Sequence, residues 1–418
     1  VKVLIAGAGV SGLGAAKLAK KLGYRVTASN QTALLPEQTT EFKKYCETIY
    51  DRGHELSHLK GIDQMIVSPG LASNHLLISQ AIKQKTPVIS EVDFALGHYQ
   101  GKVIGVTGTN GKSTVVSMIN YLLNALGFSA TAAGNIGDPP SAQIAEGRTK
   151  DHMVLELSSY QLEQSNTLSL DGGVFTSISE DHIAHHGNFK NYLDAKLRIF
   201  NAVKTSGLML YCDALAPYLN DRQINLGACE KEQLSDVAFA GKTPINTLLS
   251  ARSVSFATNT DVTKCIKLLA GFKGLEHRIE LIGTMAGQPI YNDSKSTNAE
   301  STMYALSTLK LEKCVLMLGG AGKGEDYSPL FQDPSVLQEV VLFGKSADEI
   351  AAHADKLPAL IKISKFPTLK NALENFATIV SRNKLPVLFS PACASFDEFK
   401  SFEHRGAFFK EMVGKLLD

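Results

Sequence analysis

The chain has 418 residues, of which 44% are hydrophobic and 20% charged, and its 42 Lys+Arg against 41 Asp+Glu leave a formal net charge of +1. Such a composition supports several packed cores, about two to four domains at roughly 100–200 residues each, and excludes a disordered chain. Near-neutrality argues against holding nucleic acid or an anionic membrane by bulk charge, and no apolar run reaches the roughly 18 residues of a membrane span. The six cysteines stand far apart without a CxxC pair, as expected of reduced, mostly buried thiols in a soluble, cytosolic protein.

In chain order, VKVLIAG (1–7) reads as a buried strand, and Leu13, Ala16, Leu18 and Leu22 follow helical spacing to a stop at Gly23. Glycines at 7, 9 and 12 make this opening a strand and turn rather than a secretory leader. RVTAS (25–29), QMIVS (64–68) and TPVIS (86–90) repeat the strand signal, and the alternation predicts a parallel α/β sheet closing near residue 92. A second series opens at KVIGVTG (102–108), with a helix predicted from Lys112 to Leu126 and capped by Gly127, then MVLEL (153–157) and GGVFTSI (172–178). Residues 204–260 carry no firm assignment. Near Ile279 a third series begins, continuing in CVLMLGG (314–320), EVVLFG (339–344) and LPVLFSPA (385–392). Three α/β domains are expected, over 1–92, 93–279 and 280–418.

The sharpest local signal is Gly108-Thr109-Asn110-Gly111-Lys112-Ser113-Thr114, between a strand and a helix. Glycines let backbone N–H groups curl round a phosphate, and the helix N-terminus adds partial positive charge. Lys112 would reach the β/γ-phosphates and a Ser113 or Thr114 hydroxyl would ligate Mg²⁺. The match to a standard P-loop is imperfect, because Val106 stands where that spacing wants glycine. Gly7-Ala8-Gly9-Val10-Ser11-Gly12 fits GxGxxG, but the next strand ends in Ser29-Asn30-Gln31, with no acid for a ribose. NAD is therefore disfavoured, and the loop either cradles another diphosphate or only packs helix on strand.

Other candidates also sit at strand ends. Glu156 ends a strand where an NTPase places its metal-linked carboxylate, and Asp181-His182 follows the next strand. His185 and His186 read as loop residues, with a metal role left open. On periodicity Lys196, in NYLDAKLRIF, is a surface lysine of an amphipathic helix. Arg278 follows GLEH, and two polar loops, NDSKSTN (292–298) and GGAGKG (319–324), each carry a lysine suited to an anion. In SPACASF, Ser395 and Glu398 spell a capping box that would start a helix, which could also receive a carboxylate, and Phe396, Phe399 and Phe402 would pack as core. Cys393 lacks a nearby histidine and reads as structural.

Taken in order, GTNGKST, Glu156 in LELSSYQL, Asp181-His182, Lys196 in AKLRIF, GLEHR, NDSKSTN, GGAGKG and SPACASFDEFKSFEHRG resemble the motif series of the Mur ligases over essentially the full chain. The last motif most resembles the D-glutamate-adding members, and the DNPR run of the diaminopimelate-adding relative is absent. The resemblance implies a Rossmann-like N-terminal domain for a UDP moiety, a central P-loop ATPase domain, and a Rossmann-like C-terminal domain that brings the amino acid.

By the same resemblance, Gly108 to Thr114 together with Asn246, Arg278 and Asp293 contact ATP. Ser113, Glu156, His182 and a carbamylated Lys196 serve two Mg²⁺ ions. Lys112, His182, Lys196, Lys295 and Lys323 act in catalysis. Gly9, Val10, Ser11, Asn30, Gln31, Ser68, Gly70 and Asn135 contact the UDP substrate, and Lys295, Thr297, Lys323, Ser395, Phe396 and Phe402 form the D-glutamate pocket. The sequence departs from the family at Ser29-Asn30-Gln31, where an aspartate is often found, and before Asn246, where the chain is shortened. The reaction implied joins D-glutamate to UDP-N-acetylmuramoyl-L-alanine through an acyl phosphate, in a bacterial cytoplasm and by a monomer, with closure of the third domain expected to exclude water. The alternatives are another Mur-type or folylpolyglutamate-type ligase, an NAD(P)-dependent oxidoreductase, and a non-catalytic nucleotide-binding protein.

Overall fold

The computed structural model describes residues 1–219, 244–322, 324–354 and 357–417. Strands β1 (Lys2–Ala6), β2 (Arg25–Ser29), β3 (Thr48–Tyr50), β4 (Gln64–Val67) and β5 (Val88–Ser90) form a parallel sheet in the order β3-β2-β1-β4-β5. Strands β6 (Lys102–Thr107), β7 (Ala130–Gly134), β8 (His152–Glu156), β9 (Leu170–Phe175) and β10 (Val203–Tyr211) form a second parallel sheet, β10-β9-β6-β8-β7. The third sheet orders β11 (Glu280–Met285), β12 (Gln288–Asn292), β13 (Cys314–Gly319), β14 (Leu337–Phe343), β15 (Lys362–Phe366) and β16 (Val387–Phe389) as β11-β12-β16-β13-β14-β15. Only the β11–β12 pair in it is antiparallel. Central strands such as β1, β8 and β13 are buried along nearly their whole length, because helices cover both faces of a parallel sheet.

The unassigned stretch 204–260 proves to hold most of β10 and the helix Pro244–Thr258. Each sheet reverses its winding beside a strand that ends in a predicted loop: β1 and β4 in the first, β6 between β8 and β9 in the second, and β12, β16 and β13 in the third. Such reversal points open a crevice beyond the strand C-termini, where ligands bind.

The chain divides into two compact units, one closing at Phe272 and the other beginning at Lys273. The first holds two sheets that share one apolar core, with Val3 and Ile5 of β1 in the same cluster as Val103 of β6 and Leu155 of β8. Where they join, Gly14 faces Ser141: a Cβ at Gly14 would stand 2.6 Å from Ser141 Oγ, so the helices Val10–Lys21 and Pro140–Ala145 meet only because that side chain is missing. Among the described residues every cysteine is free, as expected, and no helix is long and apolar enough to cross a membrane.

Glu91 is buried in this junction. Its Oε1 accepts from the Ser141 backbone N–H at 3.0 Å and from the Ser141 hydroxyl, while Oε2 has no hydrogen-bond partner among the described residues. Burial raises its pKa from 4.5 to about 7, opposed by the two Ser141 hydrogen bonds. A carboxyl with a raised native pKa binds its proton more tightly folded than unfolded, so its contribution to stability is full below the unfolded value and is lost as pH climbs through the folded one. Between about pH 4.5 and 7 the protein therefore loses on the order of 1–3 kcal/mol at this group. Glu91→Gln is expected to remove that loss and to unfold at higher denaturant than wild type in mildly alkaline buffer. Parallel denaturant titrations of the two proteins across this pH range check it, and equal pH slopes would refute it.

Candidate active site

Strand β6 delivers the chain into the loop Gly108–Gly111, and the helix Lys112–Ala125 starts from it. Gly108 and Gly111 have φ of +144° and +86°, the left-handed region where a side chain is strained. The loop is braced from behind by the segment after β9. Thr109 N donates to Ser177 O at 2.8 Å, Asn110 N to Ser177 Oγ at 2.8 Å, and Ser179 N to Thr109 Oγ1 at 3.0 Å. Asn246, buried on the helix Pro244–Thr258, flanks the loop from another side, since a Cβ on Gly111 would meet its Oδ1 at 3.1 Å. Lys112 Nζ donates to Gly108 O at 2.9 Å and Thr109 O at 2.7 Å, which keeps its charge over the loop.

Lys196 overturns the surface reading. It lies in the helix Phe189–Ala202, is 2% exposed, and its Nζ donates to Gly108 O at 2.6 Å. The helix buries Tyr192, Leu193, Lys196, Ile199 and Phe200, a stripe at i, i+1, i+4, i+7 and i+8. Lys196 thus stands on the apolar side, a signal available in the spacing itself. Burial drives the amine well below the usual lysine range; the nearby Lys112 ammonium pushes it the same way, and Asp181 and Glu156 oppose. The shift favours the neutral amine, whose nitrogen has a lone pair and still has N–H bonds to give to Gly108 O.

Glu156, at the end of β8, is buried; its Oε1 accepts from Asn135 Nδ2 at 2.9 Å, and among the described residues its Oε2 has no hydrogen-bond partner. A buried carboxylate oxygen left over in this way fits a divalent cation, whose preferred ligands are such oxygens. His182 sits in the left-handed region at φ 51° and is exposed, and partial desolvation lowers its pKa, with Lys196 and Lys112 adding to the effect and Asp181 opposing it. Lys112, Asn135, His182 and Lys196 line one cavity of about 360 Å³, together with Gly70, Tyr160 and Tyr192. Tyr192 was not foreseen: its hydroxyl pairs with Thr109 Oγ1 at 3.0 Å, and its ring lies 4.8 Å from Lys196 Nζ.

On the first sheet, Asn30 Oδ1 accepts from Ala8 N at 2.9 Å and Ser68 Oγ donates to Gly7 O at 2.9 Å, so both side chains clamp the glycine loop. Gly9 caps the helix Val10–Lys21, and nothing lies within 4 Å of a Cβ built on it; Val10 and Gln31 are exposed and Ser11 half-buried. In the P-loop, Ser113 is buried and Thr114 half-buried.

In the second unit, Asp293 is buried: Oδ2 accepts from Ser296 Oγ at 2.6 Å and Ser390 Oγ at 2.7 Å, and Oδ1 from Ile279 N at 3.1 Å. Burial raises its pKa to about 6 against those bonds. Arg278 follows His277, whose φ is 62°, and its Nε is buried without a hydrogen-bond partner among the described residues. Lys295 Nζ lies 5.4 Å from the Phe402 ring, Thr297 is half-buried and Lys323 lies outside the described residues.

The capping box is corrected. No helix starts at Ser395; the Glu398 carboxylate accepts from Leu369 N instead, at 3.0 and 3.2 Å, and the helix begins at Phe402 with Ser401 as its cap. The core reading of the phenylalanines holds only for Phe399, which is partly buried against the core of the third sheet; Phe396 is 74% exposed and Phe402 only partly buried. Ser395 and Cys393 are buried. Sequence reasoning also missed Arg405, fully buried, which donates to Ser294 O at 2.8 Å, Cys393 O at 2.9 Å and Ala394 O at 3.2 Å and so ties two strand-end loops together.

A model of the Mur ligase middle domain matches residues 106–305, and one of the alanine dehydrogenase/PNT C-terminal domain matches residues 1–120, where the GxGxxG loop lies. The UDP-N-acetylmuramoylalanine–D-glutamate ligase of Bacteroides fragilis is 31% identical over 99% of this chain and 100% of its own length. That of Ligilactobacillus salivarius is 33% identical over 100% of this chain and 97% of its own. MurF ligase from Thermotoga maritima, solved in complex with ADP, shares the fold with a TM-score of 0.60 at 17% identity, over 94% of this chain and 95% of its own. MurC from the same organism gives 0.58 at 16%, over 99% of each chain. Two parallel sheets and a third that is parallel except for its β11–β12 edge pair, with a phosphate-type loop after β6, give the α/β fold class of the three-domain amide ligases. The chain belongs to the Mur ligase family, with the UDP-N-acetylmuramoylalanine–D-glutamate ligases.

Proposed function

We infer that the protein is an ATP-dependent ligase that adds D-glutamate to UDP-N-acetylmuramoyl-L-alanine, a step of peptidoglycan precursor synthesis. The observation that carries the reading is the Lys196 amine buried against the carbonyl of Gly108, the first residue of the phosphate-type loop. The neutral form of a lysine amine adds to CO₂ through nitrogen: the N–C bond forms, one N–H proton leaves, and the amine becomes a carboxylate-type group. Its depressed pKa supports that modification.

In the reaction, the alanyl carboxylate attacks the γ-phosphorus of ATP, ADP leaves and an acyl phosphate forms. The free amine of D-glutamate then attacks the acyl carbon and loses a proton, and inorganic phosphate leaves. Lys112 exchanges its loop carbonyls for phosphate oxygens and stabilises charge that builds up in transfer. Glu156, Ser113, His182 and the modified Lys196 would hold two Mg²⁺ ions, which when bound neutralise the phosphate charge. Asn246, Arg278 and Asp293 are assigned to ATP, the latter two by family likeness alone. Gly9 to Ser11, Asn30, Gln31, Ser68, Gly70 and Asn135 are assigned to the UDP substrate, and Lys295, Thr297, Lys323, Ser395, Phe396 and Phe402 to D-glutamate. The reading carries with it domains over 1–92, 93–279 and 280–418, a monomer and a bacterial cytoplasmic setting.

The test is phosphate release from ATP with each substrate omitted in turn. Release is expected only when UDP-N-acetylmuramoyl-L-alanine and D-glutamate are both present. Equal turnover with another amino acid in place of D-glutamate would refute the assignment.

A further inference from the structure

A second cluster of ligand-type side chains lies beside the cavity and takes no part in the chemistry above. Glu163 closes the helix Ser159–Gln164, apart from its last residue, while His185 and His186 end the short helix Ile183–His186. One ligand atom from each falls within 4.8 Å of the other two. His185 Nε2 stands 2.8 Å from Glu163 Oε2, and His186 Nδ1 stands 3.9 Å from the same oxygen. In a tetrahedral site with bonds of about 2.0–2.2 Å, neighbouring ligand atoms lie roughly 3.4 Å apart, so small side-chain rotations close the cluster on an ion.

The surroundings are those of a metal centre. His186 Nε2 pairs with Ser159 Oγ at 2.9 Å, which leaves Nδ1 as the lone-pair nitrogen facing Glu163 when Nε2 carries the proton. Ser73 Oγ donates to the other carboxylate oxygen, Glu163 Oε1, at 2.6 Å and orients it. The Tyr160 ring packs on His185 with 4.2 Å between centroids and limits where that imidazole can turn. Two imidazoles and one carboxylate suit Zn²⁺ and its neighbours among the transition metals, whereas a Mg²⁺ site is built mainly from oxygen ligands.

We propose that Glu163, His185 and His186 form a binding site for a Zn²⁺-class divalent ion, separate from the Mg²⁺ positions of the phosphate-type loop. The ion ties the helix Ser159–Gln164, and through Ser73 the loop after β4, to the short helix that His182 caps. Without an ion the three elements meet at this point through hydrogen bonds, ring contacts and, where an imidazole is protonated, ion pairs to Glu163.

The experiment uses the untagged full chain, stripped with chelator, and Co²⁺ as a spectroscopic probe with Zn²⁺ as competitor. One equivalent of Co²⁺ is expected to give the intense visible bands of four-coordinate nitrogen and oxygen ligation, Zn²⁺ to quench them, and Zn²⁺ alone to raise the unfolding temperature. His185→Gln, at a partly exposed position, and Glu163→Gln should each weaken the ion by about tenfold or more. His182→Ala should keep the bands. No bands, bands unchanged in His185→Gln, or bands lost in His182→Ala would each overturn the proposal. None of those outcomes bears on the ligase reading, which the phosphate-release assay tests by itself.

Discussion

Lys196→Met is expected to lose at least about 10²–10³-fold in ligation rate while the protein stays folded. Methionine keeps the length and apolar stem of the lysine against Tyr192 and removes only the nitrogen that meets Gly108 O. A merely structural lysine would lose one hydrogen bond here, about 1 kcal/mol of stability, and leave turnover nearly intact. Dependence on CO₂ supplies a second readout. Wild-type activity should fall in CO₂-depleted buffer and return on adding bicarbonate, and the variant should respond to neither. A Met variant within a few-fold of wild type would remove Lys196 from the mechanism.

Lys112→Ala is expected to cost about 10³-fold or more in ATP turnover, because transition-state charge on the transferred phosphoryl loses its cation. Its effect on stability should be small, since the two loop carbonyls it meets can turn to water. The structure adds a consequence at Lys196. The Lys112 charge is the second-largest cause, after burial, that lowers the Lys196 pKa, so its removal raises that pKa. Carbamylation needs the neutral amine, and in the variant it should therefore begin at higher pH than in wild type. Uptake of isotope-labelled bicarbonate followed by NMR across pH measures the shift, and an unchanged profile would separate the two lysines.

Much of this architecture is legible in the amino-acid sequence. The runs VKVLIAG, KVIGVTG and CVLMLGG are β1, β6 and β13, because a strand buried on both faces must be apolar throughout. The loop Gly108–Gly111 was readable for a related reason: glycine at φ of +144° and +86° answers a local backbone demand. The capping box at Ser395 misled, since S-x-x-E states only what the side chains can do locally. Glu398 met Leu369 N instead, a partner 29 residues away that no local pattern reveals. Residues 204–260 resisted because the helix Pro244–Thr258 has buried residues on several sides and no single apolar stripe.

The sequence by itself determined most of the strands, their mainly parallel class, and the strand ends that carry glycine, acid, histidine and lysine, because these follow from local residue patterns. Only the tertiary structure decided which of those groups meet. It turned Lys196 inward, 88 residues along the chain from the Gly108 carbonyl it binds, and left Glu156 Oε2 buried without a hydrogen-bond partner among the described residues. It also brought Glu163 within reach of His185 and His186. Burial, charge proximity and orphaned lone pairs arise between elements, and they set the protonation state on which the chemistry depends.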